Sequence, residues 1–207
     1  MKNLKMKLTT LSTALCLALA LLMLTSAAAA QDNVKIWTAA ASTGTPDEAS
    51  QNLVSFTESV ATISAGGPST VLLRYNVTAV DGLFSGLLNA TNWPTMIVRY
   101  RDNHSSAAQV IVELKEHIIA GPDAGQTNTL ITFNSDEFPQ LPGYQTQSLG
   151  NCGNFQGFRF LTPNSARVYF VEARLIRNSN VNQGSPGLAG IAITRDGVCQ
   201  GFGLTQR

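Results

Sequence analysis

The sequence is short of nearly everything that marks a catalytic or nucleic-acid-binding chain. Its 207 residues include two histidines, three cysteines and two tryptophans, and only 13% are charged. Lysine and arginine number 14 against 13 acids, which excludes the basic field that nucleic acid or an anionic membrane surface demands. A zinc-protease helix needs two histidines four residues apart, and Glu113-Leu-Lys-Glu-His117 offers one, within a strand pattern. No Gly-x-Ser-x-Gly is present to set a nucleophile on a strained turn. Helical periodicity is missing too. At most a turn or two is expected over 46–51, where Thr45-Pro-Asp-Glu48 puts a capping residue before proline and two acids.

The N-terminus carries the first positive signal. Residues 1–7 hold three lysines and no acid, 8–24 are largely apolar, and Ala27 to Ala30 lead into Gln31. This pattern predicts a secretory signal peptide over 1–30, cut between Ala30 and Gln31. A retained anchor would need about 20 apolar residues, and Thr9, Thr10, Ser12 and Thr13 interrupt this run. A lipoprotein signal would need a small residue before its cysteine, and Leu15 precedes Cys16. The short, lysine-led signal has a bacterial character. The product is therefore expected in the periplasm or outside the cell, with no membrane span after cleavage.

The remaining chain, 31–207, has eleven basic and thirteen acidic residues, a formal charge of −2. Its length suits one domain. Cys152 and Cys199, both beside glycines, are expected to form a disulfide in an oxidising compartment. Such a bridge closes a loop of roughly 50 residues and contributes about 4 kcal/mol in the chain-entropy view. A zinc site would want four ligands.

Apolar residues recur with period two. Val71, Leu73, Tyr75, Val77 and Ala79 alternate with Leu72, Arg74, Asn76 and Thr78; Val110, Val112, Leu114 and Ile118 alternate with Gln109, Glu113, Lys115 and His117. Met96, Val98 and Tyr100 stand against Arg99 and Arg101. These are half-buried antiparallel strands. Segments 34–40, 52–64, 128–134, 157–161, 167–177 and 188–195 read as strands as well, separated by turns rich in Gly, Pro, Asn and Asp. In 167–177 the second face carries Val168, Phe170 and Ile176, the mark of a central or partly covered strand. The expected fold is an all-β, antiparallel two-sheet sandwich of about eight or nine strands, with the jelly roll as one form of it. An outer-membrane barrel would carry aromatic girdles and a terminal apolar strand, and this chain shows neither. The stretch 138–156 reads as one long loop pinned by Cys152, and 82–94 as a second.

Few side chains suggest chemistry. His117 reads as a solvated cross-strand partner and His104 as part of a hairpin turn at 102–106. Glu116 and Glu172 fall in register with apolar residues, so each would need a partner such as Arg174 or Arg99 if its face is the core face. Paired inward carboxylates on one cleft would signal a hydrolase, and these two are its first candidates. Loop oxygens at Asp123, Gln126 and Asn128, and at Asn178, Asn180 and Asn182, are too poor in carboxylates for a tight calcium site; no cofactor is expected. Sugar binding needs an aromatic face with hydrogen-bonding groups beside it. Trp93 and Tyr144 are the candidate faces, with Arg99, Arg101 and Asp102 nearby. The expected function is thus an exported, non-catalytic domain with a structural or surface-binding role, partnered by a glycan or an envelope protein. A carbohydrate-binding module is the alternative, and a hydrolase the third reading.

Overall fold

The computed structural model describes residues 37–64, 66–78, 93–103, 107–150, 161–162, 165–178 and 185–197, all within the second of the chain's two units, Val34–Arg207. Residues 1–36, Ala30 and Gln31 among them, and His104, Cys152 and Cys199 lie outside the described residues, as does the side chain of Trp93.

Twelve strands are found among the described residues: β1 (Trp37–Ala40), β2 (Thr45–Pro46), β3 (Val54–Thr57), β4 (Val60–Ile63), β5 (Ser69–Val77), β6 (Trp93–Arg101), β7 (Ala108–Ala120), β8 (Thr127–Asn134), β9 (Gln145–Gly150), β10 (Leu161–Thr162), β11 (Ser165–Arg177) and β12 (Gly187–Gly197). They form two six-stranded sheets, and all their pairings are antiparallel. The first sheet runs β3–β4–β12–β6–β9, with β1 also paired to β12. The second runs β2–β5–β11–β7–β8, with β10 also paired to β11. Setting aside the short edge pieces leaves β4–β12–β6–β9 and β5–β11–β7–β8. In chain order these read first-eighth-third-sixth and second-seventh-fourth-fifth, which is the jelly-roll topology.

The period-two pattern drives this arrangement. Val110, Val112 and Leu114 from β7, Val171, Ala173 and Leu175 from β11, and Met96, Val98 and Tyr100 from β6 are all buried in one core. Each fully buried aliphatic side chain contributes about 1.5–3 kcal/mol by leaving water. In β12 the register shifts between Leu188 and Gly190, a bulge that changes the parity of the strand. Leu188, Ile191 and Ile193 all reach the core as a result.

Three segments differ from the sequence reading, and together they raise the strand count. The span 52–64 is a hairpin, β3 and β4, in place of one strand. It turns at Glu58, whose φ of 52° is the positive backbone that glycine or asparagine would normally announce. The long polar loop contains β9, an edge strand on β6 whose Thr146 and Ser148 are exposed. With one sheet neighbour and few apolar side chains, it carries little alternation. Thr45 and Pro46 add a short edge pairing to β5, followed by a turn in which Ser50 N–H donates to Asp47 Oδ1 at 2.9 Å.

Candidate functional site

The outer face of the second sheet gathers the strongest chemistry. Antiparallel pairing sets Asn76, Phe170 and Lys115 in one row across β5, β11 and β7, and Arg74, Glu172 and Glu113 in the next. Two carboxylates therefore stand directly opposite each other, an unfavourable pairing unless a cation intervenes. Lys115 intervenes: its Nζ lies 2.9 Å from Glu172 Oε1 and 3.0 Å from Glu113 Oε2. Arg74 Nε donates to Glu172 Oε2 at 3.3 Å, and Arg174 Nη2 donates to Glu113 Oε2. Burial by itself would lower the Lys115 pKa, but hydrogen bonds to Glu172 and Glu113 outweigh it and hold the ammonium above its ordinary value. Burial would raise Glu172, and Lys115 and Arg74 reverse that, so its carboxyl lies below the usual range.

Beside this ladder lies a depression of about 460 Å³ lined by Arg74, Asn76, Lys115, Thr127, Phe170 and Glu172, with Val168 on its wall. Val168 is 44% exposed, and Phe170 is partly exposed beside it. A second depression of about 500 Å³, lined among others by Thr38, Thr43 and Thr45, shares Arg74 and Asn76 with the first. Arg74 and Asn76 are thus a ridge between two hollows.

The other polar clusters are built into the fold. Glu116, with its side chain 8% exposed, faces inward and binds Arg167 Nη1 through both oxygens, at 3.0 and 2.8 Å. Asn128 Nδ2 also donates to Glu116. The hydrogen bond to Glu116 is the main cause that holds the Arg167 guanidinium above its ordinary pKa. Asp102 is fully buried and accepts from Ser135 Oγ at 2.6 Å, while Ser135 Oγ accepts from Val110 N–H at 2.8 Å. This relay ties the β6 end to β7 and to the turn after β8. Tyr100 lies alongside; burial first, then the Asp102 charge, pushes its phenol up to about 12. Asp136 is raised by burial and by Asp102, against a hydrogen bond from Gln109.

These positions correct two expectations. Glu116 is inward, but its partner is Arg167 in place of Arg174 or Arg99. Glu172 faces outward, because its register pairs it with Arg74 and Glu113. The two carboxylates therefore sit on opposite faces of one sheet and do not converge on a cleft. Arg101 and Tyr144 are brought together, the guanidinium carbon 5.2 Å from the ring centroid. Tyr144 is half-buried and packs on Gly187, where a Cβ would meet its hydroxyl at 2.5 Å. Arg101 Nε also donates to the Ser185 carbonyl. Arg99 reaches Thr146 Oγ1 at 3.5 Å, and Asp102 lies within the relay beneath. His117 Nδ1 contacts Thr127 Oγ1 at 2.8 Å across the strands. Among the described residues no three His, Cys, Asp or Glu side chains gather as a metal site, and no helix is long and apolar enough to cross a membrane. Sequence reasoning missed Arg74, Asn76, Lys115 and Phe170 as a group. The signal that pointed there was the apolar second face of β11.

The chain is a jelly-roll β-sandwich with a polar-and-aromatic hollow on one sheet. Its sequence matches no protein-family model and no curated protein. Among solved structures it is similar to the xylan-binding module CBM15, at 10% identity and a TM-score of 0.45, over 78% of this chain and 97% of that one. It is also similar to the CBM36-1 domain of a multidomain xylanase from the hindgut metagenome of Trinervitermes trinervoides, at 13% identity and a TM-score of 0.38, over 79% and 100%. The infectious bursal disease virus VP2 subviral particle matches at 12% identity and a TM-score of 0.32, over 80% of this chain and 34% of that one. Fold alone does not assign function, so the site has to carry the reading.

Proposed function

We propose that this chain is an exported, non-catalytic glycan-binding module whose ligand lies on the outer face of β5, β11 and β7. The observation that carries the reading is the partly exposed Phe170 ring in a hollow walled by amide, hydroxyl, carboxylate, ammonium and guanidinium groups. Sugars present C–H faces that pack on aromatic rings and hydroxyls that both donate and accept. The row Asn76–Phe170–Lys115 supplies both kinds of contact on adjacent strands. A rigid central strand fixes the ring, so little ordering cost falls on binding. Export follows from the leader over 1–30, and a Cys152–Cys199 bridge is part of the same proposal.

Affinity electrophoresis of the processed protein in gels containing xylan, mixed-linkage β-glucan or galactan tests the reading. We expect retardation by at least one polymer and a loss of about tenfold or more in affinity for Phe170→Ala, the scale of losing an aromatic contact. Phe170 lies outside the buried core, so the variant should melt close to the parent. Binding to none of these polymers, and to none of the acidic polysaccharides polygalacturonate, alginate and glucuronoxylan, would overturn the proposal, as would unchanged binding by Phe170→Ala.

A further inference from the structure

We infer that the glycan is a polymer carrying carboxylates, a uronic-acid polysaccharide, and that Arg74 selects it. This inference rests on the glycan-binding reading and narrows its substrate class. The ladder holds three cations, Arg74, Lys115 and Arg174, against two carboxylates, Glu172 and Glu113. Both carboxylates are doubly engaged, Glu172 by Arg74 and Lys115, and Glu113 by Lys115 and Arg174. The ladder itself is left with one positive charge in excess.

Arg74 is where that excess can be used. Its side chain is 53% exposed and is held through Nε alone, by Glu172. Neither Nη group makes a hydrogen bond among the described residues. A guanidinium anchored at Nε presents its outer edge in a fixed plane, which suits two-point recognition of a carboxylate. Lys115, by contrast, is already shared between two carboxylates and is largely buried. A neutral sugar hydroxyl can also accept from this fork, but a carboxylate matches its two N–H groups in one plane and adds the opposite charge.

The shape of the site suits a polymer. Hollows of about 460 and 500 Å³ meet at Arg74 and Asn76, and each alone has the size of a small-ligand site. The second hollow is rich in exposed threonine hydroxyls, at Thr38, Thr43 and Thr45. A chain of sugars can therefore pack on Phe170 on one side, meet Thr38, Thr43 and Thr45 on the other, and put a carboxylate on Arg74 between them.

The test uses polygalacturonate, alginate and glucuronoxylan, each beside its carboxyl-reduced counterpart, in which the acid has become a primary alcohol. We expect the processed protein to bind at least one acidic polymer about tenfold more tightly than its reduced form, the scale of one charge-assisted, two-point contact. Added salt should shrink the difference, because the contact is partly exposed. Arg74→Gln should lose the preference, binding acidic and reduced polymers alike, and Arg74→Lys should restore only part of it. Equal binding of acidic and reduced polymers, or an intact preference in Arg74→Gln, overturns the inference while leaving the glycan reading in place. Failure to bind any polymer, the neutral panel included, overturns both. Thermal midpoints of the two Arg74 variants near that of the parent exclude misfolding as the cause.

Discussion

At the scale of single residues, the ladder on β5, β11 and β7 is a coupled acid–base system with a definite pH signature. Glu172 is held below the ordinary carboxylate range by Lys115 and Arg74, against its own burial. Its folded form binds a proton less readily than its unfolded form, so its contribution is present above the unfolded pKa. That contribution disappears as pH falls through the lowered folded value. Asp136 has the opposite sign: burial and Asp102 raise it, so it favours the folded state in acid and ceases to do so as pH rises through its folded value. Comparing a variant with its parent separates the two. Glu172→Gln should reduce the thermal midpoint at neutral pH and flatten the acid limb, so that the two proteins converge at low pH. Parallel melting curves from pH 7 down to 3 would show that Glu172 is not the group responsible. The variant also leaves Lys115 with Glu113 alone, and at neutral pH its cost should be about 2 kcal/mol, typical of a charge-assisted hydrogen bond.

At the scale of elements, turns reveal most about what the sequence makes legible. The loop joining β7 to β8 was readable from Gly121, Pro122 and Asp123, and the structure shows why glycine is wanted. Gly121 and Gly125 take φ values of 113° and 89°, and Gly125 N–H donates to the Ile118 carbonyl at 2.7 Å. A Cβ at Gly125 would meet no atom within 4 Å. Gly125→Ala should therefore cost about 1 kcal/mol through backbone strain alone, read as a lower denaturation midpoint with an unchanged slope. Gly44 is the contrasting case: its φ of −68° is ordinary, but a Cβ there would lie 2.5 Å from the Tyr75 ring. No local pattern announces such a requirement, because it depends on a side chain 31 positions away. The Glu58 turn and β9 were illegible for a related reason. One lacks the glycine or asparagine that its positive φ would normally call for, and the other has polar residues on both sides and owes its extended form to β6.

At the scale of the whole molecule, the two-sheet sandwich was written plainly in the alternation of β5, β7 and β11, since burying one face of each strand leaves few architectures. The site was not, because it is made by register. Asn76, Phe170 and Lys115 are spread over almost a hundred positions and become neighbours only when three strands align. The proposed Cys152–Cys199 bridge belongs to this scale too. Thiol titration of the unfolded, unreduced protein is expected to find no free thiol, and Cys199→Ser to lose about 2–5 kcal/mol; two free thiols per chain would refute the bridge. Jelly-roll pairing also has a kinetic consequence. The pairs β7 with β8, β6 with β9, β5 with β11 and β4 with β12 are nested, each enclosing the one before. Zipping from the β7–β8 hairpin outward keeps every loop closure short at the moment it is made. The strand that completes the first sheet, β12, is the last in the series and sits in its middle. Until it arrives, β4 and β6 have no partner on that side, and a nascent chain emerging from synthesis holds two open edges that invite pairing with a second copy. Held unfolded until all of its strands are present, the chain passes that hazard quickly, and it is this late central strand, more than the core beneath it, that sets when the protein is safe from its neighbours.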